Sequence, residues 1–313
     1  MNAKKLTEGA LLLAVYVVLM LLTVHVPVIG IVSNFFLALP FIIFTAKNDR
    51  KSSLVFLVGA FFLSLIFGSI FAVPLALSYG LTGFAIGEMI KMGKSRVAVF
   101  IAGTIVFLFT IVIEYIGTIV LFDMNIMEET TVMLEESVEQ SLSMLEAIGQ
   151  TPDPAMVEQL ETSIGMVRDL VPSLFVTASL LLVFFIQLVS LPIANRFGVS
   201  VPKWPPLQDL TLPKSLLWYY LIVIIASLFV NVDQGGYWYT AILNLSYILQ
   251  YFMVFQGVTF LFFIAHEKNV SKAFPIIAVV LMFLIPLLLY LVRILGIIDL
   301  GFDLRKKLKE KNG

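Results

Sequence analysis

Glu114 is a lone carboxylate within a 25-residue apolar run, Val97 to Leu121. An ionisable side chain inside a membrane costs about 2.5 to 3.5 kcal/mol to insert, which makes each one a functional candidate. Counted from Val97, Glu114 lies about 25 Å along a helix that rises about 1.5 Å per residue, in the outer part of the membrane. Tyr115 is its neighbour, and Thr118 stands one turn further out on the same face. His25 at the end of the first apolar run and Asn34 early in the second fall at comparable depth. Glu114, Thr118, Tyr115, His25 and Asn34 are therefore the candidate substrate-binding set, able to converge on an outward-facing pocket. The competing reading has Glu114 capping a neighbouring helix or reaching the interface, and His25 as an ordinary interfacial histidine.

Other chemistry is hard to assemble from this chain. Cysteine is absent and there are only two histidines, His25 and His266, so no disulfide framework, thiolate nucleophile or cysteine-held metal is available. No phosphate loop, zinc-type His-x-x-x-His, serine elbow or pair of intramembrane acids occurs. The expectation is no enzyme, no catalytic residue, no metal, no cofactor and no nucleic-acid partner. Glu88 beside Lys91 reads as a solvated ion pair. Arg293, in the last apolar run, calls for a partner or a nearby headgroup to snorkel to.

The elements that position Glu114 are set by hydropathy. Of the 313 residues 60% are hydrophobic and 13% charged, with mean hydropathy +1.01, whereas soluble domains run about 25% charged. Nine apolar segments can be marked: 6–24, 28–45, 53–67, 72–90, 97–121, 171–194, 215–230, 237–265 and 273–296. They are continuous, without the two-residue alternation of a barrel, so they form helices, whose backbone is satisfied internally. The first follows Lys4 and Lys5 as a signal peptide would, but no cleavage site follows it, and it reads as a retained span. The expected fold is all-α, a polytopic transmembrane bundle of eight or nine spans in the lipid bilayer.

Charge then assigns sides. Residues 123–170 hold eleven acids against one base, Arg168, a net charge of -10, while the remaining chain is +9. With the N-terminus in the cytoplasm, the loops carrying Lys4, Lys5, Lys47, Arg50, Lys51, Lys91, Lys94, Arg96, Arg196, Lys203, Lys214, Lys268 and Lys272 are all cytoplasmic, as the positive-inside rule asks. Nine spans would leave the tail bearing Arg305, Lys306, Lys307, Lys309 and Lys311 outside. A tail inside requires that either 215–230 or the Pro286-interrupted last run does not cross, and that is the preferred reading.

Residues 123–170 read as an acidic extracytoplasmic helical hairpin. Leu134, Val138, Leu142 and Leu145 form one apolar stripe, and Met156, Leu160, Ile164 and Val167 a second. Gly149 suits the end of the first helix, and Asp153 with Pro154 the start of the next. The hairpin is either a lid over the outer mouth or a solvated extension. Gly80, Gly83 and Gly87 mark a face where another helix approaches closely, and Ala10 with Ala14 a second small strip for a helix of this chain or another membrane protein. Asn244, Tyr247, Gln250, Tyr251 and Gln256 make the eighth segment polar enough to line a cavity, though interhelical hydrogen bonding explains them as well. The expected domains are a six-span block 1–196 that includes the hairpin, a cytoplasmic linker 197–214, and a C-terminal membrane block 215–313.

Two resemblances follow. Lys4-Lys5 ahead of Ala10-x-x-x-Ala14, Leu57-Val-Gly59 before Ser64-Leu-Ile-Phe-Gly68, and Pro74 leading into Tyr79-Gly-Leu-Thr-Gly-Phe-Ala-Ile-Gly87 resemble the S components of energy-coupling-factor vitamin transporters. That resemblance covers roughly residues 4–96. It implies a small-molecule pocket opening outward and an Ala10/Ala14 strip touching a transmembrane coupling subunit. The whole chain is similar to the YybS family of bacterial membrane proteins, through Asn34-Phe-Phe-Leu-Ala-Leu-Pro-Phe41, Asn244 to Gly257, and Leu295-Gly-Ile-Ile-Asp-Leu-Gly-Phe-Asp-Leu-Arg305. It implies the bacterial cytoplasmic membrane. Two functions remain open: binding or transport of a small solute, and a non-transporting scaffold that recruits protein partners.

Overall fold

A computed structural model describes residues 3–229 and 236–312. The Val230 end of the seventh apolar segment and the side chains of Lys4 and Lys311 lie outside the described residues. In chain order the described helices are α1 (Ala3–His25), α2 (Pro27–Asn34), α3 (Leu39–Lys47), α4 (Arg50–Gly68), α5 (Val73–Lys91), α6 (Arg96–Phe122), α7 (Ile126–Ala147), α8 (Pro154–Asp169), α9 (Val171–Arg196), α10 (Lys214–Phe229), α11 (Tyr237–Glu267), α12 (Ala273–Leu284), α13 (Pro286–Phe302) and α14 (Leu304–Asn312). By length and composition seven stretches can cross a membrane: α1, α2 with α3, α4, α5 with the turn before it, α6, α9 and α11. The protein is a polytopic helical membrane protein. α10 and α12 are shorter apolar helices, so the expected eighth and ninth spans rest on them.

Local chemistry sets the helix ends. Asp49 caps α4, its carboxylate accepting from the Ser52 amide at 3.1 Å, and Ser95 caps α6 through the Ala98 amide at 3.3 Å. Pro40 has no N–H to continue an α-helix through Phe36 to Leu39. There the chain tightens, the Leu39 amide donating to Phe36 O at 2.9 Å, and the second apolar segment becomes two helices. Pro286 does the same to the last segment, with Ile285 extended at φ -122° and ψ 101°. α13 then runs on to Phe302, six residues past the expected end.

The contacts divide the chain into two units, Met1–Thr130 with Leu174–Trp204, and Thr131–Ser173 with Pro205–Gly313. In the first, α3 is the core helix, buried from Leu39 to Thr45. Phe41 packs edge-on against Tyr16 at 5.0 Å, and Phe44 stacks on Phe56 at 4.4 Å. Gly80, Gly83 and Gly87 turn the α5 backbone onto α3. A Cβ at Gly83 would lie 2.6 Å from Phe41 Cβ and 2.7 Å from Ala38 O, and one at Gly87 2.7 Å from Thr45 Cβ. At one end of this unit a polar collar ties helix ends together: Lys5 to Asp49 at 3.0 Å, Lys47 to Glu8 at 3.1 Å, and Arg50 to Glu88 at 2.7 Å. Lys5, with the Ser52 amide and hydroxyl, holds the Asp49 carboxyl well below the usual carboxylate range. Glu88 is buried and paired with both Arg50 and Lys91 rather than solvated.

In the second unit α11 and α13 cross so closely that a Cβ on Gly257 would lie 1.9 Å from Val292 O, and one on Gly296 2.0 Å from Met253 O. Residues 131–169, which the sequence groups with the first six spans, belong to this unit. The reason is Asn244 of α11. Its carbonyl oxygen accepts from the Ser173 amide at 2.8 Å and from the Ser173 hydroxyl, and its amide donates to Asp169 O at 2.6 Å. The junction of α8 and α9 is thereby fixed to α11. The acidic segment is helical, with its turn at Gly149 (φ +78°) and the Asp153 side chain accepting from the Ala155 amide at 3.0 Å. Of its apolar stripes Ile164 is buried, Val138, Leu142, Leu145 and Leu160 are half-buried, and Leu134, Met156 and Val167 are exposed.

Candidate functional site

Glu114 is met by α5. The Ser78 hydroxyl donates to its carboxylate, with Oγ 2.9 and 2.8 Å from the two oxygens. Ser78 and Tyr79 are both buried, Ser78 on the α6 side of α5, opposite the glycine face that meets α3. Asn34, the last residue of α2, lies beside the Tyr79 side chain, and the Tyr79 ring rests edge-on against Phe107 of α6 at 5.7 Å. Two candidates from distant parts of the chain, Glu114 and Asn34, thus come to consecutive residues of one helix. Among the described residues no Lys, Arg or His is paired with Glu114.

The other three candidates turn elsewhere. The Thr118 hydroxyl donates to Tyr115 O at 2.8 Å, the usual satisfaction of a helical threonine by its own backbone. The Tyr115 hydroxyl donates to Asn125 Oδ1 at 2.9 Å, and its ring packs on Phe175 at 5.3 Å. His25 is exposed, with Nδ1 3.1 Å from Leu21 O of its own helix. Ser78 and Tyr79, which the sequence did not single out as site residues, complete the cluster; their signal is a hydroxyl pair at the head of the glycine-rich stretch that ends at Gly87. On α1, Ala10 and Ala14 face outward, while Gly9 packs against Phe44 and Leu12 and Tyr16 are buried.

A second polar cluster, in the other unit, was hidden in the sequence. Asp299 of α13 is 3% exposed and accepts from Gln256 Nε2 at 2.6 Å and Arg305 Nε at 2.9 Å. Arg305 spends its other nitrogens on Gln208 O, Leu210 O and Thr259 Oγ1, each at 2.8 Å. Gln256 Oε1 accepts from the Leu212 amide at 2.8 Å. Every side chain in this set has a protein partner, so it reads as a clasp holding residues 208–212 to α11, α13 and α14. Asn244 and Gln256 are likewise spent on interhelical bonds, and Arg293 lies over the Tyr290 ring at 4.6 Å. A cavity of about 180 Å³ beside this clasp is lined by Gln208, Phe262, His266, Asn269, Lys272 and Pro275, among others.

Residues 14–300 match the family described as predicted membrane protein (DUF2232). The chain belongs to this family. It is 31% identical over 315 residues to the uncharacterized protein YybS of Bacillus subtilis (strain 168), covering 98% of this chain and 99% of that one. No solved structure shows a significant match. The three stretches on which the sequence was seen to resemble the YybS family fall on structural joints. Asn34 to Phe41 spans the break between α2 and α3. Asn244 to Gly257 holds the residues of α11 that bond to Ser173, Leu212 and Asp299. Leu295 to Arg305 holds Gly296, Asp299 and the clasp arginine.

Proposed function

We propose that this membrane protein binds a small solute through the Glu114, Ser78, Tyr79 and Asn34 cluster, in the manner of an S component, and passes it to or across the membrane. The observation that carries the reading is a carboxylate inside a transmembrane helix whose hydrogen-bond partner is a neutral hydroxyl. Such a charge is costly in lipid, and a ligand bearing an ammonium or another strong donor would complete it with charge-assisted bonds. The reading assigns the protein no catalytic step. It places the N-terminus and basic loops in the cytoplasm of a bacterial cell, so that the Glu114 end of α6 faces outward.

Native mass spectrometry of the protein gently extracted from its own membrane tests this. The expected result is a bound small molecule that is lost from Glu114→Gln, a substitution that keeps the shape and the Ser78 hydrogen bond. An unchanged bound mass in that variant removes Glu114 from the site.

A second reading rests on the outward-facing Ala10 and Ala14 of α1, which offer a close-packing strip to another membrane protein, a coupling subunit or a scaffolded partner. Protein partners without a small molecule in the same spectrum, lost on Ala10→Leu/Ala14→Leu, would favour it.

A further inference from the structure

The last apolar segment folds back on itself. As one straight helix residues 273–302 would span about 45 Å, yet both ends lie at Gln208. Beyond α13, Asp303 pairs with Lys214, and Arg305 donates to Gln208 O at 2.8 Å. At the start of α12, Lys272 and Pro275 line the 180 Å³ cavity together with the same Gln208. α12 and α13 therefore leave one end of the second unit and return to it, reversing at Ile285 and Pro286.

The cavity at the foot of this turn has a one-sided chemistry. Gln208, His266, Asn269 and Lys272 supply its polar lining, and among the described residues no Asp or Glu lines it. Among the described residues none of these four side chains has a hydrogen-bond or ion-pair partner. Two further cations stand close by. Arg305 and Lys309 lie over the Phe263 ring at 5.4 and 5.7 Å, next in sequence to the lining residue Phe262. An ammonium, an imidazole and two carboxamides spread round one space suit a tetrahedral oxyanion, whose oxygens point several ways, better than a planar carboxylate. Benzene fits a cavity of about 150 Å³, so a phosphate group with a small substituent fits here.

The neighbouring surface selects the source of that phosphate. Phe274, Ile276 and Ile277, in the first turns of α12, are exposed and apolar, and they offer acyl chains a surface directly after Lys272. We infer that the cavity binds the headgroup of an anionic phospholipid, its phosphate oxygens accepting from Lys272, His266 and the carboxamides and its chains lying along α12. Basic pockets between membrane helices hold such headgroups. No lining acid receives the ammonium of a zwitterionic lipid, whereas the hydroxyls of phosphatidylglycerol can donate to the carboxamide oxygens of Gln208 and Asn269. The site belongs to the second unit alone and does not depend on the proposed solute site.

The test uses the full-length protein, delipidated in a phosphate-free non-ionic detergent, with lipid adducts read by native mass spectrometry. Phosphatidylglycerol and phosphatidylcholine are titrated separately, and inorganic phosphate is then added as competitor. One phosphatidylglycerol per chain is expected to be held about tenfold or more tightly than phosphatidylcholine, and to survive equimolar inorganic phosphate. Lys272→Glu sets an acid against the phosphate and is expected to weaken that adduct about tenfold or more. Lys94→Glu reverses an exposed cation of the first unit and leaves it unchanged. Both lysines are exposed, so both variants are expected to melt like the unaltered protein. Equal binding of the two lipids, displacement by equimolar inorganic phosphate, or a Lys272→Glu protein that holds phosphatidylglycerol as tightly as Lys94→Glu would overturn the inference.

Discussion

Asp299 and Glu114 are both acids enclosed by helices, and their partners separate their roles. Asp299 is answered by a guanidinium and an amide, with each nitrogen of the guanidinium bonded within the protein. Removing one member of such a buried pair strands the other. Asp299→Ala is therefore expected to cost about 3 to 5 kcal/mol, whereas Asp299→Leu/Arg305→Met, which removes both charges, loses much less. Thermal denaturation in detergent compares the two, and equal losses would show that the charges are not coupled. Glu114 was legible in the sequence because it is the lone acid of an apolar run. Asp299 was not, because it lies six residues from a basic tail and looks like part of its solvated charge. The burial of Arg96 against Gln187 of α9 was equally hidden. Whether a charge at the first residue of a helix faces water or a neighbouring helix depends on α9, far along the chain.

Helix packing in lipid depends on how near two backbones can come, and glycines mark the places. Gly296 and Gly257 sit where α13 and α11 cross, with no room for a methyl group. Gly296→Ala is expected to destabilise by about 1 to 3 kcal/mol or more through overpacking. Gly117, with nothing within 4 Å of an added Cβ, should accept alanine with a change of about 1 kcal/mol or less, in the stabilising direction. Parallel melting curves decide, and a Gly296→Ala protein as stable as Gly117→Ala would refute the close crossing. The Gly80, Gly83 and Gly87 face could be marked in the sequence because its members recur within one helix. The Gly257 and Gly296 pair could not, since each is isolated on its own segment and only the crossing relates them. The turn between α2 and α3 had a visible cause in Pro40, yet hydropathy alone runs straight through it.

At the level of the whole chain, the basic collar of the first unit gathers the ends of α1, α3, α4 and α5 at one level, as loops sharing one side of a membrane require. A chain without cysteine makes sidedness directly measurable. In Gln150→Cys, a membrane-impermeant maleimide is expected to label intact cells, and in Lys94→Cys and Lys309→Cys only permeabilised ones. Labelling of Lys94→Cys from outside would invert the proposed orientation, and labelling of Lys309→Cys from outside would place the tail with the acidic helices. Hydropathy and charge were enough to read an all-helical, multi-pass protein with an acidic segment set apart from basic loops, because lipid demands internally bonded backbone and each span carries its own apolar signal. They could not tell which polar side chains meet. That Asn34 comes to Tyr79 while Glu114 meets the adjacent Ser78, that Asn244 holds the end of the acidic helices to α11, and that Arg96 turns inward were decided by helix crossings. A crossing joins residues with no relation in sequence spacing, and whether a buried polar group is satisfied is a property of the pair.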